Sequence, residues 1–247
     1  LKLSKKEIIN IAYIAEHNFA GTKCGYMDQY AVVMGKKDNL LHLNCQSLRF
    51  KNIPIDFGNY KLLLLNTNIK HDLSETSFNQ RLKESRSAFK IIKEFYPKIN
   101  SLCEASSKDV NSLKSKFNGK LFNRAIFSVD ENNRVKESLS AIRENNLEKL
   151  GELMYSSHAG LNDLYEVSSE ELNFLVNFSK EKKYILGSRM MGGGFGGCTL
   201  NLILADKILE FSKEIKKIYF NKYSINLDSI PVNLANSISV NEEDLLQ

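Results

Sequence analysis

Asp28 is the residue whose type and position most suggest catalysis in this sequence of 247 residues. It lies between Met27 and Gln29, shortly after Gly25, where the pattern predicts the start of a helix. The helix dipole favours an ionised carboxylate at this end, and such a carboxylate could guide or receive a proton from a hydroxyl group. The alternative is a structural role as a helix N-cap, a position that aspartate often occupies. When Asp28 is considered by itself, the N-cap role is the better interpretation.

A glycine cluster at 192–197 is the second candidate, because it holds five of the chain's 13 glycines in six positions. Glycine costs backbone entropy, so the cluster needs a physical reason. One reason is a loop whose N–H groups approach an anion such as phosphate, and the other is a tight turn between strands. Gly192, Gly194 and Gly197 match a dinucleotide-binding pattern, but a strand is predicted where that site needs a helix. We therefore exclude a dinucleotide site, and the sequence has no Walker-type motif either.

Glu16 is a candidate metal ligand at the end of the first predicted helix. Mg²⁺ typically takes one or two carboxylates together with phosphate oxygens and water, so one glutamate could be enough. The alternative is a solvated side chain at the end of a helix. When Glu16 is considered by itself, this alternative is the better interpretation. His71 and His158 have no evident triad partner, and we interpret both as structural or surface residues.

Composition excludes several classes of protein. Hydrophobic residues make up 43% and charged residues 26%, as in ordinary globular proteins. The net charge is only +5, and the lysines are scattered among acidic residues, which argues against a nucleic-acid partner. No apolar stretch approaches the ~20 residues that cross a membrane. The four cysteines are far apart and lack zinc-ligand spacing, so we expect a reduced, cytoplasmic chain without a zinc site.

The elements that must position these residues form a mixed α+β pattern. A capping box of Ser4 and Glu7 starts a first helix, which Gly21 ends. Its apolar stripe at helical spacing consists of Ile8, Ile11, Ala12, Ala15 and Phe19. Further helices are predicted at 28–34, 74–96, 110–116, 121–165, 170–178 and 205–223, and strands at 40–43, 50–55, 60–66, 198–204 and 230–240. A change in composition near 57–59 suggests two domains, 1–58 and 59–247.

Four ordered segments resemble galactokinases, which are members of the GHMP superfamily of small-molecule kinases. The first, EHNFAGTKCGYMDQY at 16–30, is similar to their catalytic segment, and the second, NTNIKHDL at 66–73, to a strand-to-helix segment beside the sugar. The third combines RVKE at 134–137, SHA at 157–159 and YEVS at 165–168. The fourth, GSRMMGGGFGGCT at 187–199, is similar to the third GHMP motif. Together they span nearly the whole chain.

The resemblance implies a GHMP-kinase-like fold of two domains, in which 1–58 is the remainder of an incomplete N-terminal domain and 59–247 is a C-terminal α+β domain. It implies a cytoplasmic enzyme that transfers a phosphoryl group from ATP to the anomeric hydroxyl of galactose, with Mg²⁺ and without nucleic acid or membrane partners. Such a reaction needs positioning and charge neutralisation more than covalent chemistry. We expect its site in the cleft between the domains.

The same resemblance assigns roles to individual positions. Asp28 matches the catalytic aspartate, and Glu16 matches the position that helps to hold Mg²⁺. The substrate-binding positions are Cys24, Gly25, Asp28 and Phe78. The turn beside the nucleotide phosphates contains Gly192, Gly193 and Gly194.

Two departures from the family pattern modify these expectations. Phe78 lies, within a residue, where the family usually has a tyrosine whose hydroxyl helps to bind the sugar. The loss of that bond could weaken binding by about 0.5–1.5 kcal/mol. The family's N-terminal portion, with its phosphate-binding loop, is absent, so we expect the 247-residue chain alone to have negligible activity. The alternatives are a kinase for another sugar such as N-acetylgalactosamine, and a non-enzymatic relative that senses sugar and ATP.

Overall fold

The computed structural model describes residues 3–21, 24–69 and 74–238, except for the side chains of 74–76. Within these ranges the helices are α1 (Lys5–Asn18), α2 (Met27–Met34), α3 (Ser74–Phe95), α4 (Ser107–Ser112), α5 (Gly119–Arg143), α6 (Leu147–Asp163), α7 (Glu170–Lys180) and α8 (Ile208–Tyr223). The strands are β1 (Asn39–Leu43), β2 (Phe50–Pro54), β3 (Tyr60–Asn66), β4 (Ile185–Met190), β5 (Cys198–Leu204) and β6 (Asp228–Val232). His71 lies outside the described residues. No helix in the described part of the chain is long and apolar enough to cross a membrane.

The described residues divide into two compact units. The first comprises the residues up to 56 together with 233–238, and the second comprises those between 57 and 232. Helix and strand are mixed in this chain, as the predicted α+β class requires.

The first unit packs α1 and α2 against the antiparallel hairpin of β1 and β2. Its buried hydrophobic residues are Ile9, Tyr30 and Val33. The predicted capping box is confirmed, because the Ser4 hydroxyl accepts from the Glu7 N–H and the Glu7 carboxylate accepts from the Ser4 N–H. This exchange satisfies backbone donors that the first turn would otherwise leave free.

The chain returns to the first unit after β6. The N–H of Ser237 donates to the Gly35 carbonyl at 2.8 Å, and the N–H of Ile238 donates to the Val32 carbonyl at 3.1 Å. The predicted strand over 230–240 is therefore wrong in its bounds, since the strand is Asp228–Val232 and the described residues after it bond to the end of α2 instead. Residues 239 and 240 lie outside the described residues.

The second unit is built on a four-stranded antiparallel sheet in the order β4-β5-β3-β6. Strands β3 and β5, predicted with these same bounds, form the centre, with Leu63 and Ile203 fully buried. Helix α6 approaches β4 at backbone distance, because a Cβ on Gly151 would collide with the Leu186 carbonyl. This close approach fixes the strand that leads into the glycine cluster.

The helical region after residue 118 is divided, whereas the sequence predicts one continuous helix over 121–165. Helix α5 ends at Arg143, and α6 begins at Leu147. Asn145 has a φ of 53°, and the Asn146 side chain accepts from the Lys149 N–H as the N-cap of α6. Asparagine tolerates the left-handed conformation and caps helices well, so this pair creates the break.

Candidate functional site

The predicted site residues fall into two groups, one in each unit. Glu16, Cys24, Gly25 and Asp28 belong to the first unit. Phe78 and the glycine loop, defined here as residues 191–197 between β4 and β5, belong to the second.

Asp28 lies in the first turn of α2, and its side chain is exposed. The N-cap of this helix is Tyr26, which makes no capping bond through its side chain. The N-cap interpretation of Asp28 is therefore wrong. The carboxylate forms no hydrogen bond or ion pair with the residues that the structure describes, so it is free to accept a bond from a ligand. Its position in the first turn places a negative charge where the helix dipole favours one.

Cys24 links the end of α1 to the start of α2. Its thiol donates to Glu16 Oε2 at 2.6 Å, and its carbonyl accepts from His17 Nε2 at 2.8 Å. Burial, followed by the hydrogen bond to Glu16, raises the pKa of the Cys24 thiol. The thiol therefore stays protonated near neutral pH and keeps its role as a donor to the carboxylate.

Gln29 completes this cluster and is a residue that the sequence does not single out. Its side chain is buried, and its amide nitrogen lies 3.8 Å from the Cys24 sulfur. Its Oε1 is buried without a hydrogen-bond partner in the described part of the chain. A buried amide with an unpaired oxygen lowers the stability of the folded protein. The corresponding signal in the sequence is a polar residue directly before Tyr30, which is buried.

Glu16 is a single carboxylate and not a complete metal site. No group of three or more histidine, cysteine or acidic side chains that could hold a metal occurs among the described residues. The Glu16 carboxylate accepts from a thiol and makes no ion pair within the described ranges, so it retains acceptor capacity for a further partner. It fits a divalent cation whose other ligands are water and substrate phosphate oxygens.

The glycine loop is a strand-to-strand connection, and β5 follows it directly, so the strand predicted after the glycine cluster is confirmed. Gly192, Gly194 and Gly197 have φ values of 77°, 88° and 79°, which side chains rarely adopt. A Cβ on Gly194 would collide with the Val167 carbonyl. The same carbonyl accepts from the Phe195 N–H at 2.7 Å, so the loop lies directly against the segment before α7.

Phe78 lies beside this loop. A Cβ on Gly193 would be 3.6 Å from the Phe78 ring, which is ordinary van der Waals contact. The structure therefore brings together two residues that the sequence places 115 positions apart. On the other side of the loop, the hydroxyl and the N–H of buried Thr67 both donate to the Gly197 carbonyl, at 2.8 and 2.9 Å.

Arg124 on α5 is fully buried and supports the segment that contacts the glycine loop. Its guanidinium donates to Glu84 at 2.7 Å, to Glu166 at 2.7 Å, and to the Leu164 carbonyl. The hydrogen bond from Arg124 lowers the pKa of Glu166 and keeps that carboxylate charged. Sequence reasoning missed this network. The signal was a charged residue on the apolar face of α5, next to buried Ala125, because buried arginines need partners.

His158 holds the end of β4 just before the loop. Its Nδ1 accepts from the Met190 N–H at 3.2 Å, and its Nε2 donates to Asn173 Oδ1 at 3.1 Å. Burial lowers the pKa of His158 to about 4, so the ring is neutral at physiological pH. The side chain is buried, so the structural interpretation of His158 is confirmed and the surface interpretation is wrong.

Comparison with known protein families finds the GHMP kinases N terminal domain over residues 1–36 and the GHMP kinases C terminal domain over 138–214. Two curated relatives illustrate the match, and both are named galactokinase. The chain is 41% identical to the Clostridium tetani protein over 219 residues, covering 88% of this chain and 56% of the relative. It is 35% identical to the Thermosipho africanus protein over 239 residues, covering 97% of this chain and 66% of the relative.

Solved structures also match this chain. A Lactococcus lactis galactokinase complexed with galactose matches 96% of this chain and 61% of its own length, with a TM-score of 0.90 and 30% identity. An L. major mevalonate kinase shares the fold, with a TM-score of 0.59 at 19% identity over 96% of this chain and 60% of its own length. This chain therefore spans roughly three fifths of the length of the relatives that it matches.

Proposed function

The chain belongs to the galactokinase family of the GHMP kinases, and we propose that it carries the catalytic aspartate and glycine loop of an enzyme that phosphorylates galactose. In this reaction the anomeric oxygen of galactose forms a bond to the γ-phosphorus of ATP. The bond between that phosphorus and the bridging oxygen of ADP breaks. The hydroxyl proton leaves with a carboxylate as its acceptor, and the products are galactose 1-phosphate and ADP.

The free carboxylate of Asp28 is the observation that carries this proposal. An aspartate used as a helix cap or ion-pair partner would have its oxygens occupied, whereas Asp28 is exposed and unbonded among the described residues. In the proposed mechanism Asp28 orients the sugar hydroxyl and accepts its proton. Cys24 and Gly25, in the segment directly before α2, are the proposed sugar-binding positions beside it.

The glycine loop is the proposed neighbour of the ATP phosphates. Its backbone is held on both sides, by Val167 and by Thr67, so its remaining N–H groups are preorganised. Preorganised N–H donors can stabilise phosphoryl oxygens without reorganisation during the reaction. Gly192 and Gly193 are exposed, as contact with a nucleotide requires.

Mg²⁺ is the proposed metal, and Glu16 would hold it together with phosphate oxygens and water. When bound, the ion neutralises charge on the transferred phosphoryl group. Cys24 orients the Glu16 carboxylate through its thiol donor.

Galactose is the proposed sugar because the curated relatives at 35–41% identity are named galactokinases and the Lactococcus structure contains galactose. These names support galactose over N-acetylgalactosamine and support an enzyme over a non-enzymatic sensor. We also propose a cytoplasmic location, because ATP is its co-substrate and the cysteines lack the close spacing of a disulfide framework.

The test is phosphate transfer from labelled ATP to galactose. The chain is first joined to the N-terminal segment of the Clostridium tetani galactokinase, and Asp28→Asn is compared with Asp206→Asn, an exposed aspartate in the second unit. We expect Asp28→Asn to lose transfer at least a hundredfold while its circular dichroism is unchanged, and Asp206→Asn to match the unsubstituted protein. A near-normal rate for Asp28→Asn would remove Asp28 from the mechanism, and a preference for N-acetylgalactosamine would overturn the sugar assignment.

A further inference from the structure

Thr67 lies one residue beyond β3 and is fully buried in the second unit. Its hydroxyl and its N–H both donate to the Gly197 carbonyl, so one residue occupies both lone pairs of that oxygen. The antiparallel ladder of β3 and β5, which ends at Asn66 and Cys198, would need only the N–H bond to continue. The bond from the hydroxyl is therefore an additional restraint on the glycine loop.

The end of the glycine loop at Gly197 is open on the side where a side chain would lie. A Cβ at this position would meet nothing within 4 Å. Gly196 and Gly197 have φ values of 134° and 79°, so both use the conformational freedom of glycine. Gly194 differs, because the Val167 backbone lies directly against it. The two hydrogen bonds from Thr67 are therefore what fixes the direction of the loop at its Gly197 end.

Tyr219 on α8 holds Thr67 in turn. It is fully buried, and its hydroxyl donates to the Thr67 carbonyl at 3.0 Å. Burial raises the pKa of this hydroxyl, so it remains a protonated donor at physiological pH. The N–H, the hydroxyl and the carbonyl of Thr67 are thus all bonded inside the protein. Because Thr67 has no exposed surface, it can act on a ligand only through the loop.

The N–H groups of Gly192, Gly193 and Gly194 form no hydrogen bond with the residues that the structure describes. We propose that Thr67 is a positioning residue for ATP, which fixes the Gly197 carbonyl and thereby directs these N–H groups towards phosphate oxygens. Donors that are already ordered bind an anion without a further loss of conformational entropy. The inference rests on the proposed function, because it takes the glycine loop as the neighbour of the ATP phosphates.

The experiment compares Thr67→Val, which removes the hydroxyl at nearly constant volume, with Thr67→Ser, which retains it. Kinetics of the joined protein described above give KM for ATP and KM for galactose separately. Ser179→Ala is the matched control, because it removes another buried hydroxyl of the second unit, which donates to the Leu175 carbonyl at 2.8 Å. Tyr219→Phe removes the donor to Thr67 and tests the proposal even if Thr67→Val does not fold.

A second measurement needs neither ATP nor activity. The N–H of Met191 donates to the Cys198 carbonyl at 2.9 Å, and the N–H of Phe195 donates to the Val167 carbonyl at 2.7 Å. Hydrogen exchange at these two amides of the 247-residue chain reports how well the glycine loop is ordered. Both amides should exchange faster in Thr67→Val than in the unsubstituted chain.

We expect Thr67→Val to raise KM for ATP roughly two- to tenfold, the effect of one hydrogen bond, and to leave KM for galactose unchanged. Thr67→Ser should restore KM for ATP, Tyr219→Phe should raise it, and Ser179→Ala should leave it unchanged. A merely structural role would reduce the amount of folded enzyme, which lowers the maximal rate without changing either KM.

The proposal is overturned if Thr67→Val and Tyr219→Phe leave KM for ATP unchanged, or if Ser179→Ala raises it as much. Hydrogen exchange then shows which inference has failed. If the loop amides exchange no faster in Thr67→Val, Thr67 does not hold the loop, and the proposed function is unaffected. If they exchange faster while KM for ATP is unchanged, the loop does not lie beside the phosphates, and that part of the proposed function fails as well.

Discussion

Arg124 donates to Glu166 at 2.7 Å, and Glu166 directly precedes the residue whose carbonyl holds the glycine loop. A fully buried arginine on α5 is thereby connected, through Glu166 and Val167, to the backbone of Phe195. Glu166 has a φ of 55°, an uncommon conformation for glutamate that needs support from its surroundings. We infer that this ion pair keeps the Val167 carbonyl directed at the loop.

Replacing Arg124 by methionine should destabilise the protein by about 2–3 kcal/mol, because Glu84, Glu166 and the Leu164 carbonyl lose a shared donor. Urea unfolding followed by circular dichroism measures the loss. Lys149→Met is the matched control, since its pair with Glu152 is exposed and should contribute about 0–1 kcal/mol. Equal stability of the two variants would show that the buried network is dispensable.

His158 should make stability depend on pH. Its pKa is about 4 in the folded protein against an ordinary 6.5, so the unfolded chain binds the proton first as the pH falls. The contribution of His158 to the free energy of unfolding is fully present above pH 6.5. It decreases by roughly 3 kcal/mol as the pH falls from 6.5 to about 4. Unfolding free energies at pH 7, 6 and 5 measure the slope. The free energy of unfolding of His158→Gln should depend less steeply on pH. An unchanged slope of that free energy against pH would contradict this account.

Gly194→Ala should displace the glycine loop. The position has a φ of 88°, and the added methyl group would meet the Val167 carbonyl, so we expect a destabilisation of about 1–3 kcal/mol. Gly119→Ala at the start of α5 is the control, because a Cβ there meets nothing within 4 Å and should be neutral or slightly stabilising. Thermal unfolding of both variants distinguishes them, and a neutral Gly194→Ala would refute the close packing.

Phe78→Tyr should tighten galactose binding if the proposed function is correct. The added hydroxyl would restore a donor that the family pattern has near this position, and one hydrogen bond contributes about 0.5–1.5 kcal/mol, or roughly two- to tenfold in KM for galactose. The kinetics use the chain joined to the N-terminal segment described above. Phe95→Tyr, an exposed phenylalanine on the same helix, is the control and should leave KM unchanged. A KM that does not fall would place Phe78 away from the sugar.

Local signals in the sequence predicted most of the elements. The capping box occurs at Ser4 as predicted, and two strands have the predicted bounds, β3 at Tyr60–Asn66 and β5 at Cys198–Leu204. These predictions succeed because caps and apolar runs act within a few residues of the chain. The break between α5 and α6 was missed, since apolar spacing continues across it and only the αL conformation of Asn145 and the cap by Asn146 interrupt the helix.

Four ordered motifs in the sequence indicate the family and show which residue types are available for chemistry. Folding sets what those residues touch. In the folded chain Asp28 is not a helix cap, and the Glu16 carboxylate accepts a hydrogen bond from a thiol. Arg124 is buried between two glutamates that lie 40 and 42 positions away in the sequence. Two residues of the predicted apolar stripe, Ile11 and Phe19, are exposed in the structure. The physical reason is that hydrogen bonding and burial depend on groups brought together by folding, which spacing along one helix or strand does not specify.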